Sequence, residues 1–128
     1  MIRIYIASPY TNGNQVENTN LQLDIAYELL YRGYAPYFPL SSHYVQTRYP
    51  QFNYNWLDLD FQYLQCCDIL IRIKPIINNE ELLSPGADAE EKEAKRLNIP
   101  VFTFNTIEEM CKFLDENAFT SELNILEK

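Results

Sequence analysis

At 128 residues the chain is of single-domain length and can enclose a core. A net charge of −8 argues against wrapping DNA or RNA by phosphate neutralisation, although a local helix N-terminus can still hold a small anion. No run approaches the roughly 18 apolar residues of a membrane span. The opening "MIRIYIASPY" lacks a signal-peptide pattern, and Cys66, Cys67 and Cys111 lack zinc-site spacing, so the sequence reads as a soluble, cytoplasmic protein with free thiols.

Ile2–Ala7 is β-branched and apolar and predicts a strand, broken by "SPYTNGN". From Asn14 to Arg32 the spacing of Val16, Leu21, Leu23, Ile25, Ala26, Leu29 and Leu30 predicts a helix closed by Gly33. Tyr34–Leu40 is a second strand, weakened by Pro36 and Pro39. The Tyr-rich "SSHYVQTRYPQFNYN" reads as an irregular segment. Trp56–Cys66 predicts a helix, Asp68–Ile73 a strand and "KPIINNEELLSPG" a loop. Ala87–Leu97 is a helix, "NIPVFTF" a strand and Ile107–Asn117 a last helix. The tail from about residue 117 is ambiguous.

Strands alternating with helices predict a single-domain, three-layer αβα, doubly wound (Rossmann- or flavodoxin-like) fold over residues 1–128. Its sheet should be mainly parallel, with four to five strands. Ligands in such sheets sit beyond the strands' carboxyl ends. That points to "ASPYTNGN", "PLSSHY" and "SPGADAE".

"SPGADAEEKEA" combines a glycine-containing turn with a helix start, so backbone N–H groups and the helix dipole favour an anion there. Ser84 adds a hydroxyl and Gly86 permits close approach. Glu90 lies about one turn past Gly86 and can project over the same pocket. Spacing alone favours the plainer reading, an ordinary helix start with acids favoured by the dipole. Glu91 and Glu93 fall on other faces and are expected to be solvated. In "WLDLDFQYLQCCD", Asp60 could point into a cleft, with Asp58 its competitor; Asp68 at a strand entry is structural. His43 is the only histidine and sits in the segment after the second strand. It supports no Ser/His/Asp set.

Taken in order, "IYIASPYTNGN", "GYAPYFPLSSH", "WLDLDFQYLQCCDILI" and "SPGADAEEKEAKRLNIPVF" resemble the nucleoside 2-deoxyribosyltransferase-like superfamily, which includes the deoxynucleoside 5′-phosphate N-hydrolases. The resemblance runs from about Ile2 to Phe104 and is strongest in Ser-x-Gly-x-x-x-Glu-x-x-x-Ala. It implies that Glu90 attacks the anomeric carbon, that Tyr5 touches this glutamate and that Asp60 lies near the leaving base. It further implies that Ser84 and Gly86 form a 5′-phosphate-binding turn, that Ser8 lines the phosphate end and that His43 stands near the base. Tyr10, Tyr44 and Trp56 are candidates to stack on that base.

The expected activity is N-glycosidic cleavage of a (deoxy)nucleoside 5′-monophosphate through a glutamate nucleophile. The alternatives are deoxyribosyl transfer on free nucleosides and a non-catalytic nucleotide-binding module. Glu90 would have to be ionised, helped by the helix N-terminus. The chemistry requires neither metal nor cofactor. The resemblance implies a homodimer acting on a small nucleoside or nucleotide, not on a nucleic-acid polymer or a membrane.

Overall fold

The alternation of β1 (Arg3–Ala7) sets the layers of the molecule. Ile4 and Ile6 face one side of the sheet, Tyr5 and Ala7 the other, as strand geometry requires. The computed structural model describes residues 1–119. After β1 come α1 (Gln15–Tyr31), β2 (Ala35–Tyr37), a 3₁₀ turn (Pro39–Ser42), α2 (His43–Arg48), α3 (Trp56–Leu64) and β3 (Ile69–Ile73). A hairpin of β4 (Ile76–Ile77) and β5 (Glu80–Glu81) precedes α4 (Pro85–Arg96), β6 (Val101–Phe104) and α5 (Ile107–Glu116).

Four strands make one parallel sheet in the order β2-β1-β3-β6. On one face, Ile25 and Leu29 of α1 and Met110 and Leu114 of α5 pack against Ile4, Ile6, Ile69, Ile71 and Ile73. On the other, Leu64 of α3 and Ala87 and Ala94 of α4 meet Tyr5, Ala7 and Leu70. This is the expected three-layer, doubly wound α/β arrangement. The chain leaves β1 for β2 on one side and reaches β3 on the other. The strand order therefore reverses between β1 and β3, and a crevice opens at their carboxyl ends.

Several elements differ from the sequence expectation. The second strand shrinks to Ala35–Tyr37, because Pro39 opens the 3₁₀ turn. Pro36 is tolerated because β2 is an edge strand. The expected irregular segment contains α2. The expected loop before α4 contains the β4–β5 hairpin, whose two-residue turn places Asn78 and Asn79 at positive φ (53° and 66°).

The buried face of α1 also departs from expectation. Val16 and Leu30 are exposed, while Asn18, Thr19 and Gln22 are buried ahead of Ile25, Ala26 and Leu29. The polar half of that face lies at the crevice, and only the second half joins the core. Of the ambiguous tail, Phe119 packs on Tyr34 and Phe102, and its N–H donates to the Tyr34 hydroxyl (3.1 Å). Residues 120–128 lie outside the described residues. No described helix is long and apolar enough to cross a membrane.

Candidate active site

The crevice holds a cleft of about 250 Å³, a little under the usual size of small-molecule sites. Four segments wall it. The loop after β1 gives Ser8, Tyr10 and Thr11. The 3₁₀ turn and α2 give Leu40, Ser42, His43 and Gln46. From α3 come Trp56, Leu57 and Asp60, and from the start of α4 come Ser84, Gly86 and Glu90. Eight of the ten residues given a site role from the sequence thus line one cavity. Tyr5 is fully buried beneath it and bonds one of its members.

Glu90 lies on the inward face of α4 with Ala87 and Ala94, and is only 6% exposed. The Tyr5 hydroxyl donates to its Oε2. Burial pushes the Glu90 carboxyl up to about 8; Tyr5 and the Arg72 guanidinium pull it down, and Asp60 pushes it further up. The expectation of an ionised Glu90 is therefore corrected, because burial outweighs the pull of Tyr5 and Arg72. Burial, then Glu90, raise the Tyr5 phenol well above its ordinary range, so Tyr5 stays a neutral donor.

Asp60 is buried while Asp58 is exposed, which decides between those two carboxylates. The Tyr37 hydroxyl donates to Asp60 Oδ1 (3.3 Å). Burial raises Asp60 to about 6, with the Tyr37 bond opposing. Asp68 accepts from the Arg3 backbone N–H (2.8 Å), in keeping with a structural role.

Ser84 is the N-cap of α4: its Oγ accepts from the Ala87 N–H (3.3 Å). Pro85 at the first helical position has no N–H to leave unpaired. The Asp88 N–H returns to the Ser84 carbonyl (2.9 Å), and the Gly86 N–H has no acceptor among the described residues. The Gly86 N–H and the Ser84 hydroxyl proton are thus free for a ligand.

At the opposite rim, the Tyr10 hydroxyl and His43 Nδ1 bond each other across the mouth. Trp56 lines the cleft and donates its indole N–H to Gln46 Oε1 (2.8 Å). Tyr44, the third stacking candidate, is exposed and does not line the cleft.

Three further residues support the site. Gln22 donates from Nε2 to Ser8 Oγ (2.8 Å) and accepts the Leu40 N–H (2.8 Å), tying two walls together. A polar residue on the face shared by Ile25 and Leu29 was the available signal. Tyr37 and Arg72 left no sequence signal, since both lie in short apolar strands. Glu91 corrects the solvated expectation. It bonds Arg72 (3.0 Å) and Lys95 (2.8 Å), which hold its carboxyl below the usual range although burial works to raise it. Glu93 departs from that expectation in the same way: it is half-buried and paired with Arg96 (2.6 Å).

No family model and no curated protein matches the sequence. Among solved structures, a 2-deoxyribosyltransferase from the psychrotolerant bacterium Bacillus psychrosaccharolyticus aligns over 98% of this chain and 97% of its own, with a TM-score of 0.57 and 14% identity. This chain shares that enzyme's fold. At such identity the likeness establishes the architecture and leaves the chemistry to the cleft. Among the described residues no group of three His, Cys, Asp or Glu side chains is placed to hold a metal ion.

Proposed function

We propose that the protein cleaves the N-glycosidic bond of a (deoxy)nucleoside 5′-monophosphate, with Glu90 as nucleophile. One observation carries this reading: a buried glutamate facing a nucleoside-sized cleft, with a neutral phenol on its carboxyl and a second buried carboxyl, Asp60, in the same wall. The 2-deoxyribosyltransferase likeness supports the same class of substrate. In the first step a Glu90 oxygen bonds C1′ as the C1′–N bond breaks, and the bonding pair leaves with the base. A proton reaches the base from Asp60, directly or through one water. Water then attacks C1′ as the C1′–Glu90 ester bond breaks, and its proton passes to the Asp60 carboxylate, which restores both carboxyl groups; a second base in place of water would make the reaction a transfer. Trp56 and Tyr10 offer faces for the base.

The 5′-phosphate is supported by the start of α4, where the Gly86 N–H, the Ser84 hydroxyl and the helix dipole converge. The Ser8 hydroxyl, whose oxygen accepts from Gln22, adds a third donor. A second reading, deoxyribosyl transfer on a free nucleoside, is favoured by the absence of Lys and Arg from the cleft lining among the described residues.

A panel of deoxynucleosides and their 5′-monophosphates, each with and without a second base, separates the two by chromatography of free base. Base release from monophosphates alone supports the first reading; base exchange on free nucleosides supports the second; no release from any compound removes both. Ser84→Asp sharpens the test. Aspartate caps a helix as well as serine, so the fold persists. Its charge opposes a phosphate, so KM for a monophosphate should rise at least tenfold. An unchanged KM would displace the phosphate from this turn.

A further inference from the structure

Arg72 is a buried cation that the cleft does not contain. It is the penultimate residue of β3, on the α4 side of the sheet, its side chain 4% exposed. Its guanidinium bonds Asp88 Oδ1 (2.8 Å) and Glu91 Oε1 (3.0 Å), while its Nε has no partner among the described residues. Stability alone does not explain such a group. A buried ion pair is often no better than apolar residues of the same volume, and the orphaned Nε adds a desolvation cost.

Asp88 and Glu91 are three residues apart on one face of α4, and Glu90 lies between them in sequence on the adjoining, inward face. That inward face is otherwise Ala87 and Ala94. Two methyl groups fill little space and give little resistance to the helix rolling about its axis. A roll of one residue's spacing would turn the Glu90 carboxyl away from both Tyr5 and the cleft.

We propose that Arg72 is a positioning residue for Glu90: by gripping Asp88 and Glu91 it fixes the rotation of α4 and so the aim of the Glu90 carboxyl. The inference rests on the nucleophilic role proposed for Glu90. Arg72 also supplies the charge balance of that carboxyl. The ionisable groups acting on Glu90 are Tyr5 from β1, Asp60 from α3 and Arg72 from β3, and Arg72 is the cation among them. Its effect on Glu90 opposes that of burial.

Two variants of the full chain test the proposal, with the fold checked by circular dichroism. Arg72→Lys keeps the charge but replaces a two-point fork with a single ammonium. The expected result is a fivefold or larger fall in kcat with KM little changed, and a Glu90 titration like that of the wild type. Arg72→Met removes the charge as well. Its kcat should fall tenfold or more, and Glu90 should titrate at higher pH, read by carbon-13 NMR of labelled glutamate carboxyls with the Glu90 signal assigned by its loss in Glu90→Gln. Wild-type kcat in Arg72→Lys, or an unmoved Glu90 titration in folded Arg72→Met, would overturn it. If the wild type releases no base from any substrate, the proposed activity fails on its own account. The NMR titration, which needs no substrate, then decides the Arg72 inference.

Discussion

Glu90→Gln should lower base release by about 10³-fold or more while leaving the fold intact. The amide oxygen still accepts the Tyr5 hydroxyl, and its size still fills the inward face of α4, so packing is kept. What is lost is the nucleophile, because an amide oxygen does not form the glycosyl ester. Chromatography of free base, with a matching circular dichroism spectrum, checks this; a variant retaining a tenth of the activity would rule out attack by Glu90. The wild type carries a companion signature. Glu90 holds its proton up to about 8 and Asp60 loses its own near about 6, so the form with charged Glu90 and neutral Asp60 is a constant minor fraction between those values, and kcat/KM should be flat from about pH 6 to 8 and fall on either side.

The same substitution should make the protein more stable at alkaline pH. An unfolded glutamate titrates near 4.5, and burial raises the folded group to about 8. Between those values the folded chain binds more protons than the unfolded one, so stability is full below the lower value and is lost as pH rises through the upper. The loss at pH 8 is on the order of 4 kcal/mol for so buried a group. Asp60, raised to about 6, acts with the same sign over a lower window. Glu90→Gln carries no such charge. Urea melts of both proteins should nearly coincide at pH 4 to 5, and the variant should lead by several kcal/mol at pH 8. Parallel curves across that range would show that Glu90 ionises freely in the folded state. Stability of this kind is given up where chemistry needs a desolvated carboxylate, since whole domains are stable by only about 5–15 kcal/mol.

The alternation of strand and helix was legible in the sequence because β1, β3 and β6 are apolar runs and α4 and α5 follow N-caps, Ser84 and Thr106. Eight of the ten candidate residues meet in one cleft because loops at the strand carboxyl ends must converge at the switch point. The misses have physical causes. The segment of α2 lacks a side-chain N-cap and a buried face, so neither capping nor periodicity announces a helix. The Asn78–Asn79 turn carried a hairpin signal, but its two-residue strands are too short to alternate visibly. Ionisation was beyond reach altogether. Whether Glu90 is charged depends on how completely α3, α4 and β1 exclude water, and no local pattern encodes that.

The alternation of β1 has one more consequence. Ile4 and Ile6 seat α1 and α5, and Tyr5 between them reaches Glu90. Sliding β1 by a single residue would expel both isoleucines from their core and swing Tyr5 to the wrong layer at once. The strand therefore acts as a parity check: a misregistered chain has neither a core nor a site, and only chains paired in the native register are kept by their own stability.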